Sequence, residues 1–387
     1  MSKSKSAITK MQAIITAVIV IIAVVAGVVY YVTLTPSEEI ELRILGVNEP
    51  HCEAKRLIAP EYEEMTGVKV TVEQYPYDSC VEKQVLELST GSSTYDIACV
   101  DCIRMAEFVT AGWLENLVPY MENPDLPDID LETLVYPIDV YDAWDLDDDG
   151  TSEIYGIVND WAQMLLVYRT DLFEQAGIVD AEGTAKPPET WDEFFEDAKK
   201  LTMDTDEDGT IDVYGTVLQL GGQDAGYSDW TVRLVGFPPD EPSDPFGKPN
   251  PIFDRNFEPL LDSPHCRKAL EDIISVLPYA APGSVGFDYP DAAAVFRDGK
   301  CAMYISWSVQ FFEFDNPEVC EYADVIAYAP PPYYTEAYNY VGGWRLCINK
   351  ASQHKVEAYK LLAYLTSEEG QTAYLEKGSF ATSCEFG

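Results

Sequence analysis

The sequence predicts an α/β protein of two lobes with a ligand cleft between them, preceded by one N-terminal transmembrane helix. Strand-like and helix-like segments alternate from residue 40 to residue 376. Strands separated by helices of about 10–15 residues indicate βαβ units and parallel sheets. The length of 387 residues is enough for two ordinary domains. Two such lobes predict a cleft, which is the usual place for a ligand.

The N-terminal segment is typical of a membrane anchor. Residues 11–34 carry no charge, and residues 13–32 as a helix would span roughly 30 Å, the thickness of a bilayer core. Lysines precede this run and glutamates follow it, so the positive-inside rule places the rest of the chain outside the cell. We expect a cytoplasmic start (1–10), a retained single-pass anchor (11–34) in the cell membrane and a linker (35–39). A cleaved secretory signal is the alternative, although its apolar run is usually shorter.

The elements after the linker follow in two sets. The second set begins near Met164, and loops rich in Pro and Gly are expected at 237–251 and 278–290. Thr366 with Glu369 predicts a capping box for the last helix. The predicted strands are Ile40–Val47, Val68–Gln74, Tyr95–Val100, Tyr214–Leu220 and Ala302–Trp307, and the predicted helices are Glu53–Met65, Val81–Leu88, Arg104–Ala111, Trp191–Leu201, Cys266–Leu277, Lys355–Thr366 and Glu368–Glu376.

A twelve-residue acidic segment occurs twice, at 145–156 and 204–215, with seven identical positions. Carboxylates at positions 1, 3, 5 and 9 and glycine at position 6 match the ligand spacing of an EF-hand calcium loop. Position 12 is Gly156 or Gly215 instead of a bidentate Glu, and strand-like residues follow, so an EF-hand is not indicated. Two structural Ca²⁺ sites are predicted, with solvated acidic turns as the alternative. The predicted ligands are Asp145, Asp147, Asp149, Thr151 and Glu153, and Asp204, Asp206, Asp208, Thr210 and Asp212.

Charge and cysteine content bound the partners. The formal charge of −42 argues against nucleic acid or anionic lipid as a partner. An extracellular location permits disulfides among the nine cysteines, and Cys52 and Cys80 are candidates to pair because each lies where a predicted helix follows a predicted strand. Three histidines in the whole chain do not favour a zinc site at Cys99-x-x-Cys102.

Catalytic motifs are missing from the sequence, and aromatic residues are abundant. It has no Gly-x-Ser-x-Gly, P-loop, dinucleotide or His-Glu-x-x-His motif, so we expect no enzyme. Aromatic residues make up 12% of the chain, and indole faces suit the apolar faces and hydroxyl rims of sugar rings. The tryptophans predicted at strand ends or in loops are Trp161, Trp230, Trp307 and Trp344, for which core packing stays open as the alternative.

Five segments in order resemble the extracellular solute-binding proteins of ABC importers, in the carbohydrate-binding subgroup that includes maltose- and oligosaccharide-binding proteins. They are 153–177, Pro188–Phe194, Phe296–Met303, Gly342–Lys350 and Thr366–Gln371. The start Lys5–Ile8 separately resembles archaeal pilin-like signals, which implies an archaeal source.

The resemblance implies a periplasmic-binding-protein-like architecture. Residues 40–160 and the return segment 341–387 would form the N-lobe, and 161–340 the C-lobe, with crossings near Asp160–Gln163 and Asn339–Gly342. Carried over position by position, the residues lining the cleft would be Glu49, Asp101, Asp160, Trp161, Tyr227, Trp230, Trp307, Trp344 and Arg345.

Three functions follow as hypotheses. The first is a membrane-anchored receptor that captures a sugar or oligosaccharide and delivers it to an ABC permease. The second is a calcium-stabilised surface adhesin or filament subunit on the same fold, suggested by the pilin-like leader. An extracellular glycosidase is the third, since carboxylate pairs are abundant, but no motif supports it.

Overall fold

The computed structural model describes residues 40–131, 142–146, 149–158, 160–236, 252–254, 256, 258–335, 337 and 339–377. The predicted start, anchor and linker (1–39) lie outside these residues, as do the ligand Asp147, the loop 237–251 and the chain after residue 377. Within the described ranges, no helix combines the length and apolarity that crossing a membrane requires.

Twelve strands and twelve α-helices are named here from the described residues. The strands are β1 (Glu41–Val47), β2 (Lys69–Tyr75), β3 (Ile97–Asp101), β4 (Ala143–Trp144), β5 (Glu153–Ile154), β6 (Ile157–Val158), β7 (Ala162–Arg169), β8 (Tyr214–Val217), β9 (Cys301–Trp307), β10 (Ile326–Ala329), β11 (Val341–Gly342) and β12 (Trp344–Ile348). The helices are α1 (Pro50–Thr66), α2 (Tyr77–Ser89), α3 (Met105–Thr110), α4 (Val118–Met121), α5 (Thr170–Gln175), α6 (Trp191–Lys200), α7 (Gln223–Leu234), α8 (Pro264–Val276), α9 (Tyr289–Arg297), α10 (Phe311–Phe314), α11 (Lys355–Thr366) and α12 (Glu368–Glu376).

The strands form two separate main sheets. The first has the order β2-β1-β3-β12-β6, in which β1 pairs in parallel with β2 and β3, and β12 runs antiparallel to β3 and β6. The second has the order β10-β7-β9-β8, with β11 also paired to β7. In the second sheet only β8 and β9 are parallel. Both sheets are therefore mixed, whereas the sequence pattern predicted parallel ones.

Each sheet has its own apolar core. The first core joins strand residues such as Leu42 and Leu346 to Leu362 of α11. The second joins Met164 of β7 to Phe194 of α6. This segregation shows two lobes, each with its own buried apolar cluster, as a two-domain chain requires.

The chain crosses between the lobes twice, and the two crossing segments lie side by side. The first crossing runs from β6 to β7 and the second from β11 to β12. Asp160 N donates to Trp344 O at 3.2 Å, and Trp344 N donates to Asp160 O at 3.0 Å. Gly343 between them has φ +130°, and a Cβ there would lie 2.0 Å from Asp160 O. Only glycine fits this position, because both the φ value and the close backbone approach exclude a side chain.

Local details differ from the sequence predictions at helix starts. Helix α1 begins at Pro50, three residues before the predicted start, because proline is favoured in the first turn of a helix. The predicted capping box of Thr366 with Glu369 is wrong. Ser367 is the N-cap of α12, and its Oγ accepts from Gly370 N at 3.3 Å.

The expected Cys52–Cys80 pair is wrong. The cysteines of the described residues are free thiols. Cys52 Sγ faces Cys99 Sγ at 3.7 Å, whereas the Cys80 thiol accepts from Gln84 Nε2 at 3.5 Å. Cys52 and Cys80 lie in the first turns of α1 and α2, but the Cys52 side chain points toward Cys99 instead of Cys80.

Candidate functional site

A cavity of about 840 Å³ opens between the two lobes. Its walls come from the carboxyl ends of β1, β3 and β9, from the loop after β8 and from the start of α9. Carboxyl ends of strands are where ligands bind in open α/β sheets. The volume falls in the range of small-molecule sites.

The first-lobe wall carries an indole face beside a carboxylate. Trp344 lies opposite Asp101 in the β12–β3 register, and both line the cavity. Tyr77 OH donates to Asp101 Oδ2 at 2.7 Å, and its ring meets Trp344 edge-on at 5.7 Å. Burial raises the pKa of Asp101, and the hydrogen bond from Tyr77 opposes that shift. Strand pairing thus fixes a flat apolar surface next to a hydrogen-bond acceptor.

The floor of the cavity contains a buried acid at the first crossing. Asp160 is 3% exposed, and burial raises the pKa of its carboxyl to about 7 against the opposing charges of Lys55 and Arg345. Beside it lies His51 of α1, whose ring is 5.9 Å from that of Trp344. Burial lowers the pKa of His51 well below its ordinary value, which keeps the imidazole neutral.

The second-lobe wall is aromatic. Trp307 at the end of β9 has its ring centroid 5.4 Å from that of Tyr340 and 6.5 Å from that of Tyr289. Asp288 caps α9 directly before Tyr289, and its side chain accepts from Asp291 N at 3.4 Å. Asp288, Tyr289 and Tyr340 were not among the predicted cleft residues, since the segment 278–290 was predicted as loop only and Tyr340 precedes the predicted return segment. The capping pair Asp288 and Asp291 before an apolar stretch was the available signal.

The lining is strongly acidic. Among the described residues that line it, the one basic residue is Arg297, whose Nη1 lies 3.0 Å from Glu313 Oε2. Seven carboxylates face or border the cavity, namely Glu49, Asp78, Asp101, Asp160, Asp288, Asp291 and Glu313. Such a lining offers many hydrogen-bond acceptors and opposes the entry of an anion.

This two-lobed arrangement agrees with the comparisons. Residues 53–372 match the sequence profile described as bacterial extracellular solute-binding protein, which covers most of the chain. The chain belongs to this family. Solute-binding proteins bind a ligand without transforming it, so the prediction that the chain is not an enzyme is confirmed.

Individual relatives of this solute-binding protein are distant. It is 23% identical over 350 residues to the erythritol/L-threitol-binding protein of Mycolicibacterium smegmatis, covering 88% of this chain and 69% of the relative. It is 22% identical to a probable amino-acid ABC transporter periplasmic-binding protein of Sinorhizobium fredii, covering 85% and 69%. A ribitol complex of a solute-binding protein from Agrobacterium radiobacter K84 superposes with a TM-score of 0.76 at 22% identity, covering 90% of this chain and 81% of that one. None of these three descriptions is of an adhesin or filament subunit.

Of the nine predicted cleft residues, five line the cavity of the solute-binding protein and four do not. The five are Glu49, Asp101, Asp160, Trp307 and Trp344. Tyr227 lies next to the lining, with its ring 6.2 Å from that of Tyr340. Trp161 packs against the first core, 6.0 Å from the Arg345 guanidinium carbon.

Trp230 and Arg345 have other contacts, which corrects their predicted place in the cleft. Trp230 lies on helix α7 instead of in a loop, and its Nε1 donates to Cys266 O at 3.3 Å. Arg345 is fully buried and forms an ion pair with Asp142, Nε to Oδ1 at 3.3 Å. It follows Trp344 on β12, and successive strand residues point to opposite faces of a sheet.

The two acidic loops share one backbone arrangement. In the first, Gly150 N donates to Asp145 Oδ2 at 2.9 Å and Thr151 N to Asp149 Oδ1 at 2.7 Å. In the second, Gly209 N donates to Asp204 Oδ2 and Thr210 N to Asp208 Oδ1, both at 2.7 Å. Oxygens of Asp204, Asp206 and Asp208 lie within 4.8 Å of one another.

Proposed function

We propose that this solute-binding protein is the receptor of an ABC importer and that its cavity takes a neutral polyhydroxylated ligand, a sugar or polyol. The observation that carries the proposal is the pairing of indole and phenol faces with carboxylates across one cavity. Trp344 stands beside Asp101 in one lobe, and Trp307 stands near Tyr289, which follows Asp288, in the other. Aromatic faces suit the C–H faces of such ligands, and carboxylates accept from their hydroxyl groups.

The charge of the lining favours a polyol over an amino acid. An amino acid brings a carboxylate that needs a cationic partner inside the cavity. Arg297 is the one basic residue in the described part of the lining, and its guanidinium already forms an ion pair with Glu313. A neutral ligand brings no charge that needs a partner in the cavity. The names of two similar proteins, which bind erythritol or L-threitol and ribitol, support the same class.

Ligand capture would work by lobe closure. The two crossings between the lobes form a narrow double connection at Asp160, Gly343 and Trp344. A ligand that contacts Trp344 in one lobe and Trp307 in the other favours the closed arrangement by its higher affinity for that state. The closed receptor would then deliver the ligand to the permease.

We also propose that residues 11–34 anchor the receptor at the cell surface. The support is the uncharged run itself and the lysines before it. The extracellular description of the family agrees with a binding domain on the outer side of the membrane.

Calcium would act as a structural brace in the acidic loops. The support is the ligand spacing and the matching hydrogen bonds of the two loops, together with the convergence of Asp204, Asp206 and Asp208 in the second loop. A cation bound to the folded loop stabilises only the folded chain.

A fluorescence titration tests the ligand class. The indoles of Trp307 and Trp344 border the cavity, so ligand binding should change tryptophan emission. We expect saturable changes with erythritol, ribitol or a larger sugar, and none with amino acids at the same concentrations. A response to amino acids, with none to any polyol or sugar in the panel, contradicts the proposed ligand class but leaves the family assignment intact.

A further inference from the structure

Two residues that line the cavity and a histidine buried beside them form a compact group of potential metal ligands. One atom each from Glu49, His51 and Asp160 lies within 4.8 Å of the other two. His51 and Asp160 are buried, whereas Glu49 is partly exposed toward the cavity. The helix start of α1 and the first interlobe crossing bring them together, although Asp160 is far from the other two in sequence.

The imidazole of His51 is the unusual member of this group. The side chain is 1% exposed, and neither ring nitrogen has a hydrogen-bond partner in the described structure. Its Nδ1 faces Glu49 Oε2 at 3.6 Å, which is too long for a hydrogen bond. A buried polar group normally has a partner, and each exception calls for an explanation such as an ion.

We propose that Glu49, His51 and Asp160 bind a divalent transition-metal cation at the cavity floor. One imidazole nitrogen with two carboxylate oxygens is a donor set that suits Zn²⁺, Co²⁺ or Mn²⁺. Ligand atoms about 2.0–2.2 Å from an ion lie at most about 4.4 Å apart, so small side-chain rotations close the observed group. Open coordination positions would face the cavity. This site goes beyond the capture of a polyol and does not depend on it.

A competing thiol group shares the same histidine. His51, Cys52 and Cys99 also lie within 4.8 Å of one another. One observation favours the carboxylates. Glu49 and Asp160 line the cavity and can receive an ion from solvent, whereas both thiols are fully buried.

Cobalt titration of the chelator-treated full chain, without sugar, tests the site. With excess Ca²⁺ present to occupy the acidic loops, we expect about one Co²⁺ to bind by calorimetry and to give visible ligand-field bands without a thiolate-to-cobalt charge-transfer band. Glu49→Gln, which changes a partly exposed residue, and Asp160→Asn should each weaken binding at least about tenfold. Cys99→Ser and the acidic-loop variant Asp204→Asn are the matched controls and should leave these bands unchanged.

Three results overturn the proposal. The first is the absence of cobalt bands in the wild-type chain. The second is a charge-transfer band that disappears in Cys99→Ser, which assigns the ion to the thiols. The third is a signal lost in Asp204→Asn but kept in Glu49→Gln, which assigns it to the acidic loop. Thermal unfolding of each variant confirms that the compared chains are folded.

Discussion

Gly343 offers a direct test of the interlobe connection. In Gly343→Ala the new Cβ would lie 2.0 Å from Asp160 O, at a φ of +130° that L-residues rarely adopt. Backbone strain of this kind costs about 1–3 kcal/mol. Moving the Asp160 carbonyl away also breaks the hydrogen bond from Trp344 N at 3.0 Å, which is worth about 0.5–1.5 kcal/mol. The expected loss of unfolding free energy is therefore about 2–4 kcal/mol.

Urea unfolding measures this loss, with Gly67→Ala as the matched control. Gly67 also has a positive φ, of +74°, but nothing lies within 4 Å of the position its Cβ would take. That control should cost about 1 kcal/mol through backbone strain alone. Ligand affinity should also fall in Gly343→Ala, because Trp344 is displaced with the connection. Equal losses of stability in the two variants would refute the argument from close backbone approach.

Three further outcomes are expected. Trp307→Ala should weaken polyol binding about tenfold or more because a stacking face is lost, whereas Trp161→Ala, outside the cavity lining, should not; equal effects would contradict the assigned wall. Burial raises the pKa of Asp197 to about 6, above its unfolded value, so its stabilising contribution is present below about pH 4 and lost as pH rises through 6. Asp197→Asn should therefore raise the unfolding free energy by about 1–2 kcal/mol at pH 8 but not at pH 4, as measured by urea unfolding; no pH dependence would exclude the buried charge as the cause. Removing Ca²⁺ with a chelator should lower Tm, by an amount equivalent to about 2.7 kcal/mol if the free Ca²⁺ concentration was 100-fold above Kd. Asp206→Asn should reduce this change in Tm. A loss of ligand binding with Tm unchanged would place calcium in the cavity instead.

Local sequence patterns located most elements to within a few residues. The strand predicted at Val68–Gln74 is Lys69–Tyr75, and the helix predicted at Lys355–Thr366 has those bounds. The acidic loops also follow from sequence, because their hydrogen bonds join residues two to five positions apart. Interactions between residues close together in the chain are enough to specify these helices, strands and loops.

Cavity residues were predictable from sequence where they lie at the carboxyl ends of predicted strands. Glu49 follows β1, Asp101 is the last residue of the parallel strand β3, and both line the cavity at the edge where the carboxyl ends of these strands meet. The position of Arg345 was predicted wrongly. It was assigned to the same cavity wall as Trp344, although the side chains of neighbouring strand residues point to opposite faces of a sheet. Its actual partner, Asp142, lies 203 residues away in the chain.

Sequence alone predicted the alternation of strands and helices, the two acidic loops, the acidity of the chain and the resemblance to solute-binding proteins. Each of these depends on residues close together in the chain or on composition. The set of side chains that share the cavity, the contact of Cys52 with Cys99 and the unpartnered position of His51 beside Glu49 and Asp160 follow from the tertiary structure instead. These contacts join distant segments, and their geometry depends on how two sheets and two crossings pack together.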